Sequence, residues 1–297
     1  MSSPDFLAAD PFAVPDPAKR VRALFGLRHA THRCLVKYGE ALFAGEQNLC
    51  GSLNAPPCIL RLPADCQPRA LAVDEAARFA AATLYGFDEE VTAAAVTLGS
   101  RMVDHTPANT TPDAYRALTP RAEPPAEVGV LRWADGVGYN PAGVPLIACH
   151  WGRIPEGIWL AWWADNRVAV RNDVVLDGWE RHQARTALQE FGPLASTRIA
   201  TTLRLGTPAD ASTEQRVVPP DEPPLPHDIA QLFGLTATVL ASWALLTSGA
   251  TRLIEGQPTQ LEAALDINAG LPRTSASLAI GPVDQQILER LARRERP

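Results

Sequence analysis

The sequence predicts an α+β fold: an antiparallel β-sheet of about four to six strands packed with helices, preceded by an N-terminal helical part. Three observations predict it. The chain has 297 residues, 46% hydrophobic and 20% charged, which is typical of a folded globular protein. Its middle third consists of short β-branched and aromatic runs separated by turn residues. Longer stretches with apolar residues at helical spacing stand on both sides of it.

The first half is predicted to be helical. Pro17 favours the first turn of a helix with Asp16 as its N-cap. Gly86 ends a later helix and Asp88 starts the next one, so that the two form a helical hairpin. The predicted elements are helices over Ala18–Phe43, Asp74–Tyr85 and Asp88–Met102, with one short strand, Cys58–Leu62, in an irregular segment at residues 45–68.

The middle third resembles an antiparallel meander, because turn pairs such as Asp135-Gly136 and Glu156-Gly157 separate its apolar runs. A turn at Asp165-Asn166 is followed by two valine runs, which we interpret as a continuation of the sheet. The predicted elements are strands Val128–Trp133, Val144–Trp151, Gly157–Trp163, Val168–Val170, Val174–Leu176 and Arg198–Leu205, and a helix over Asp177–Glu190.

The stretch between Asp228 and Arg252 carries no charge and is long enough to span a bilayer. Polar residues and two glycines interrupt it, and its flanks lack a basic cluster. We therefore interpret Asp228–Ala250 as the buried central helix of a fold without a membrane segment. Shorter helices are predicted at Gly256–Asn268 and Pro282–Arg296.

Two Pro-rich segments, at residues 106–127 and 207–226, are interpreted as connectors, the first with a short helix at Asp113–Leu118. The predicted organisation is a flexible arm at 1–16, a helical part at 17–118 and a sheet with packed helices at 128–297. One continuous domain over 17–297 is the alternative.

Composition narrows the function classes. The formal net charge of −6 gives no global attraction to nucleic acid. The N-terminal residues lack the basic start and apolar run of an export signal, and the five cysteines are an odd number. We therefore predict a cytoplasmic protein with reduced thiols. We find no GxxxxGK[ST], GxGxxG, HExxH, GxSxG or CxxC motif, so we predict no cofactor and favour a non-catalytic protein.

A group of histidines and cysteines leaves a metal site open. Structural zinc sites have about four N or S ligands at paired short spacings, whereas several of these cysteines are eight residues apart. Cysteine is also commonly a small buried hydrophobe. We therefore assign no metal ligand. The residues concerned are His29, His32, Cys34, Cys50, Cys58 and Cys66.

A basic segment spans residues 19–37 and contains no acidic residue. On a helix, several of its cations fall on one side, where they could neutralise phosphates of a nucleic acid. The alternative is a solvated face whose charges pair with acids elsewhere. The candidate nucleic-acid contacts are Lys19, Arg22, Arg28, Arg33 and Lys37.

Cys149 and His150 are adjacent at the end of a predicted strand, so their side chains lie on opposite faces of the sheet. They do not form a nucleophile–base pair with each other. An enzyme site here needs a partner from elsewhere, for which Asp135, Asp165 and Asp173 are candidates. The alternative is a hydrogen-bonded histidine of the core or its rim.

Four tryptophans crowd the meander, and alternation places Trp159 and Trp163 on one face and Trp162, with Leu160, on the other. Either helices cover both faces, namely Asp177–Glu190 and Asp228–Ala250, or one face receives a protein partner. The candidate binding residues are Trp151, Trp159, Trp162 and Trp163.

The stretch GVLRWADGVG…GVPLIACHWGRIPEGIWLAWWAD, followed by LFGLTATVLASWALLTSG, resembles a loose set of uncharacterised actinobacterial proteins linked to phages and mobile elements. Those proteins share a pattern of Trp-bearing strands, an acidic turn and a Trp-bearing helix. Their basic terminal segment is only partly present here. The resemblance implies no activity and transfers no functional residue. The counterparts in this chain are Trp133, Trp151, Asp165 and Trp243.

Three functions follow as hypotheses. The first is a non-catalytic interaction or accessory protein of a bacterial mobile element or phage that binds a macromolecular partner through the tryptophan face. The second is a nucleic-acid-associated protein that uses residues 19–37. The third is an enzyme with a non-local site near Cys149 and His150.

Overall fold

The structure is a computed structural model that describes residues 12, 14–104, 123–173, 178–203 and 226–293. One seven-stranded mixed sheet runs through this part of the chain in the order β5-β4-β3-β2-β1-β7-β6. The strands are β1 (Thr83–Phe87), β2 (Val128–Trp133), β3 (Leu146–Ile154), β4 (Gly157–Asp165), β5 (Leu194–Leu203), β6 (Arg252–Gly256) and β7 (Ala276–Ile280). β1 is parallel to both of its neighbours, β2 and β7, and every other pair is antiparallel.

Helices cover both faces of this sheet. In the described residues they are α1 (Pro17–Cys50), α2 (Pro57–Leu60), α3 (Gln67–Ala81), α4 (Glu89–Asp104), α5 (Asn166–Asp173), α6 (Gly178–Phe191), α7 (Pro226–Ser248), α8 (Gln260–Asn268) and α9 (Gln285–Arg293).

The sheet has an apolar cluster on each face. On one face α4, α7 and α9 pack over Leu131, Trp133 and Trp151. On the other face α1 and α3 pack over Leu84, Val130 and Leu278. Because β1 and β7 are covered on both sides, they read as continuous apolar runs instead of alternating ones.

The predicted α+β class and the antiparallel meander β2-β3-β4 are confirmed. The sheet has more strands than predicted, and its centre is parallel. The predicted helical hairpin is wrong, because β1 lies between α3 and α4 and Gly86 is a strand residue. At Gly86 a side chain would collide with the Phe12 ring, so glycine leaves room for that ring in the core.

Two short elements also differ from the prediction. Residues 57–60 form a helix instead of a strand, which fits Pro57 at the first helical position. Residues 166–173 form α5 instead of continuing the sheet, because the Asp165 carboxylate accepts the Arg167 N–H at 2.9 Å and starts a helical turn. The Asp16 N-cap is confirmed by its bond from the Ala18 N–H at 3.0 Å.

The predicted apolar helix corresponds to α7. Its stretch Gln231–Ser248 is long and apolar enough to cross a membrane, and 72% of that stretch is buried inside the protein. Gly99 of α4 allows close packing, since a Cβ there would lie 2.8 Å from the Thr238 backbone nitrogen. The predicted strands and helices within residues 113–118, 174–176 and 204–205, and both Pro-rich connectors for the most part, lie outside the described residues.

Candidate interaction surface

All four candidate binding tryptophans lie in the interior. Trp159 and Trp163 share the face covered by α1 and α3, and Trp151 and Trp162 lie under α7 in the other cluster. The predicted alternation is therefore correct, but the covering helices on the first face are α1 and α3 instead of residues 177–190. Side chains that are buried within the protein present no surface to a partner. The prediction that these four tryptophans bind a partner is therefore corrected: they are core residues.

Cys149 and His150 lie on opposite faces of β3, as predicted. Cys149 is buried in the α7 cluster, where burial raises the pKa of its thiol well above the ordinary value. A thiol held protonated is a poor nucleophile. Of the three predicted aspartate partners, Asp165 pairs with Arg167 at 2.7 Å instead, and the side chain of Asp173 lies outside the described residues.

His150 is instead part of a buried network with α3. Its Nε2 lies 2.5 Å from Oε2 of Glu75, and its Nδ1 accepts the indole N–H of Trp163 at 2.8 Å. An Nδ1 that accepts carries no proton, so the imidazole proton is on Nε2 and faces the carboxylate. The other oxygen of Glu75 accepts the Trp159 indole N–H at 2.9 Å. Nδ1 is thus hydrogen-bonded and Nε2 is occupied by its close contact with Glu75, which leaves no free base for a substrate.

Glu75 is fully buried, and burial raises the pKa of its carboxyl. The contacts with His150, the charge of Arg78 and the Trp159 hydrogen bond lower that pKa more strongly, so the net shift is downward. Gly152 admits Arg78 to this place, since a Cβ there would lie 2.3 Å from a guanidinium nitrogen. The network therefore holds a paired carboxylate between α3 and the sheet.

Glu46 of α1 lies on the same side of the sheet. Burial raises its pKa to about 7, and the nearby Glu75 adds to the increase, against a hydrogen bond from Ser196 and the charge of Arg198. Because Glu75 and His150 are both fully buried, the arrangement supports packing more than catalysis.

The basic segment is largely used inside the molecule. Arg28 is fully buried and donates to Asp266 and to the carbonyls of Phe79, Ala80 and Pro272. Arg33 donates to the Gln189 carbonyl at 2.7 Å, and Lys37 pairs with Glu190 at 2.9 Å. These last two cations face the C-terminal end of α6, where the helix dipole favours positive charge.

Of the five candidate nucleic-acid contacts, only Lys19 and Arg22 are exposed without a hydrogen bond to another part of the described chain. Lys19 is exposed, and the Arg22 side chain is 59% exposed with one 3.5 Å contact to Glu262. Two cations make a small footprint for a polyanion. The other three candidates, Arg28, Arg33 and Lys37, fit the alternative interpretation, in which the charges are paired within the protein.

Most of the histidines and cysteines considered for a metal lie in the described part of the chain. In the described part of the chain, no group of three or more His, Cys, Asp or Glu side chains could hold a metal ion. Cys34 is buried, Cys58 and Cys66 are exposed, and the Cys50 side chain lies outside the described residues. His29 approaches Asp266 at 3.9 Å, and His32 is half-buried.

The surface that stands out is the outer side of α8. The helix attaches to α1 through its acids: Glu262 contacts Arg22 at 3.5 Å, and Asp266 pairs with the buried Arg28 at 2.9 Å. Its apolar residues face solvent instead, with Leu261 70%, Leu265 41% and Ile267 71% exposed. We call Leu261, Ala264, Leu265 and Ile267 the outer α8 surface.

This orientation is the reverse of the usual one, in which a helix buries its apolar stripe and exposes its charges. A capping box fixes the start of α8, since Thr259 and Glu262 exchange hydrogen bonds between side chain and backbone. The sequence pattern does not reveal this surface, because the acids and the leucines of α8 each recur at a spacing of four. Either stripe satisfies the same helical pattern.

No protein-family model, curated protein or solved structure matches this chain.

Proposed function

We propose that the protein is a non-catalytic interaction protein that binds a macromolecular partner through the outer α8 surface. The observation that carries the proposal is the orientation of α8: three large apolar side chains face water while the acids of the same helix are turned inward. Covering such side chains contributes roughly 1.5–3 kcal/mol for each one fully buried. Clusters of exposed apolar side chains rimmed by polar residues are typical of interaction sites.

The location of the other candidate groups supports this choice over the two alternatives. His150 has both nitrogens engaged, and Cys149 is a buried thiol. Most of the basic segment is bound to acids or carbonyls of the same chain. An origin in a mobile element and a cytoplasmic location remain predictions from the sequence.

A photo-crosslinking experiment tests the proposal. A photoreactive amino acid is placed at Leu265 in the full chain, and the matched control carries it at Val36, which is 68% exposed on α1. We expect defined crosslinked species from position 265 in cells that express the protein naturally, and none of them from position 36. Equal labelling from both positions, or none from position 265, would reject the surface as a binding site.

A second pair of variants tests whether the leucines of α8 are required for binding. Replacing Leu261 and Leu265 together by serine is expected to abolish the crosslinks made from Ile267. The matched control replaces Val36 and Val73, which are 68% and 64% exposed away from α8, and is expected to leave them intact. Both proteins are expected to fold, since none of the four replaced side chains is buried. Unfolding followed by tryptophan fluorescence checks this.

A further inference from the structure

The charges around the outer α8 surface are unevenly distributed. The exposed residues of α8 itself are all uncharged: Gln260, Leu261, Ala264, Leu265, Ile267 and Asn268. The two acids of the helix are turned toward α1 and are largely covered, with side chains 18% and 10% exposed. The apolar surface therefore carries no acid of its own to repel a negatively charged partner.

Cations stand at both ends of this surface. Arg22 contacts the first turn of α8 through Glu262, and Lys19 lies one turn before Arg22 on the same side of α1. At the other end, the Pro272 carbonyl accepts a hydrogen bond from Arg28, which holds the following residue, the exposed Arg273, close to the end of α8. In the described structure neither Lys19 nor Arg273 forms an ion pair. Apart from the exposed Glu255, four residues before Thr259, the charged residues identified at the two ends of this strip are cations. The strip therefore has a mainly positive rim on a chain whose net charge is −6.

We propose, resting on the proposed function, that the partner contributes an acidic amphipathic helix that lays its apolar stripe along α8. The nine residues of α8 span roughly 13 Å, which matches two to three turns of a partner helix. Acidic residues beside that stripe meet Lys19, Arg22 and Arg273. A second copy of this chain fits less well, because pairing two such surfaces brings positive rims together.

A display library of helical peptides tests the partner chemistry. The library fixes a leucine stripe at helical spacing and varies the flanking positions among Glu, Gln and Lys. The target is the full chain, and the variant with serine at positions 261 and 265 serves for counter-selection. We expect the retained peptides to be enriched in glutamate beside the leucines, and the best one, made synthetically, to bind more weakly as salt is added.

Charge reversal provides the decisive comparison. Lys19→Glu with Arg273→Glu is expected to weaken binding of the glutamate-flanked peptide about tenfold and to shift selection toward lysine-flanked peptides. The matched control is Arg69→Glu, a reversal of an exposed arginine on α3, which should change neither. All three replaced side chains are exposed, so the variants are expected to fold.

The outcomes separate this inference from the proposed function. Selection of neutral or lysine-flanked peptides by the unmodified chain, or no response to the charge reversal, overturns the acidic partner. If crosslinks from Leu265 appear but no peptide is retained, the surface binds something else and the inference is also overturned. Leucine-dependent binding to phosphatidylcholine–phosphatidylglycerol vesicles without peptide selection assigns the surface to lipid and likewise overturns it.

Discussion

Replacing Glu75 by glutamine tests the buried network directly. Each carboxylate oxygen faces a different donor, the Trp159 indole N–H at 2.9 Å and the Nε2 of His150 at 2.5 Å. An amide has one oxygen, so its NH2 group must face one of these two N–H groups. His150 is unable to adapt by moving its proton, because the Trp163 indole N–H already points at Nδ1. We expect Glu75→Gln to lower the free energy of unfolding by about 2–4 kcal/mol.

The assay is urea unfolding followed by tryptophan fluorescence, repeated in a double-mutant cycle with Trp163→Phe. Without the Trp163 donor, His150 can carry its proton on Nδ1 and accept from the amide through Nε2. The two substitutions should therefore cost less together than the sum of their separate costs, by about 1–2 kcal/mol. Strict additivity, or a Glu75→Gln protein as stable as the wild type, would refute the assignment of protons in this network.

The pH dependence of stability tests whether Glu75 stabilises the fold in its ionised form. The folded-state pKa of Glu75 is lowered, mainly by His150 against the opposing effect of burial. The stabilisation from its ionised form is therefore complete above the ordinary carboxyl pKa of about 4.3 and is lost as the pH falls through the lower folded-state value. The difference between wild type and Glu75→Gln should shrink below about pH 4.

Three further predictions concern stability. Glu46→Gln should stabilise the protein by up to about 2 kcal/mol at pH 8 and little near pH 4.5. The reason is that the pKa of Glu46 is raised to about 7 in the folded state, so its ionisation opposes folding increasingly as the pH rises from the unfolded-state pKa to the folded-state pKa. Equal effects at both pH values would contradict this. Gly129→Ala should lower the free energy of unfolding, measured in urea, by about 2–4 kcal/mol, since the new Cβ would lie 2.2 Å from the Trp151 ring. Gly26→Ala serves as the control, because a Cβ at Gly26 would meet open space. Asp266→Ala should cost about 3–5 kcal/mol by leaving the Arg28 charge buried without its partner, and Arg28→Met with Asp266→Leu should recover part of that loss in the same assay.

The parts of the fold that could be predicted from sequence are those whose local signals agree with the final structure. Asp16 and Pro17 start a helix by local hydrogen bonding and fixed φ. The meander has turn residues between apolar runs, so its strand pairing is also encoded locally. β1 and β7 have no such signal. They are short, largely buried on both faces and paired with each other from distant parts of the chain, so periodicity does not distinguish them from helix ends.

The candidate site likewise has features that local sequence predicts and features that depend on tertiary packing. That Cys149 and His150 point to opposite faces follows from strand geometry alone. That His150 meets Glu75 depends on how α3 packs on the sheet, which no spacing in the sequence encodes. The outer α8 surface depends on a choice between two equivalent stripes, and the buried Arg28 decides it by binding Asp266. Tertiary packing therefore determines the features on which the functional proposal rests.

The placement of β7 beside β1 has a consequence for biosynthesis. The two strands are separated by most of the chain, and β1 has no partner along that edge until Ala276–Ile280 has been made. At ordinary translation rates the wait is on the order of ten to forty seconds. During that time an apolar edge with unpaired peptide groups is open to any passing strand. The nascent protein should therefore need shielding by a chaperone, and a transcript cut short before Ala276 should yield an aggregating product.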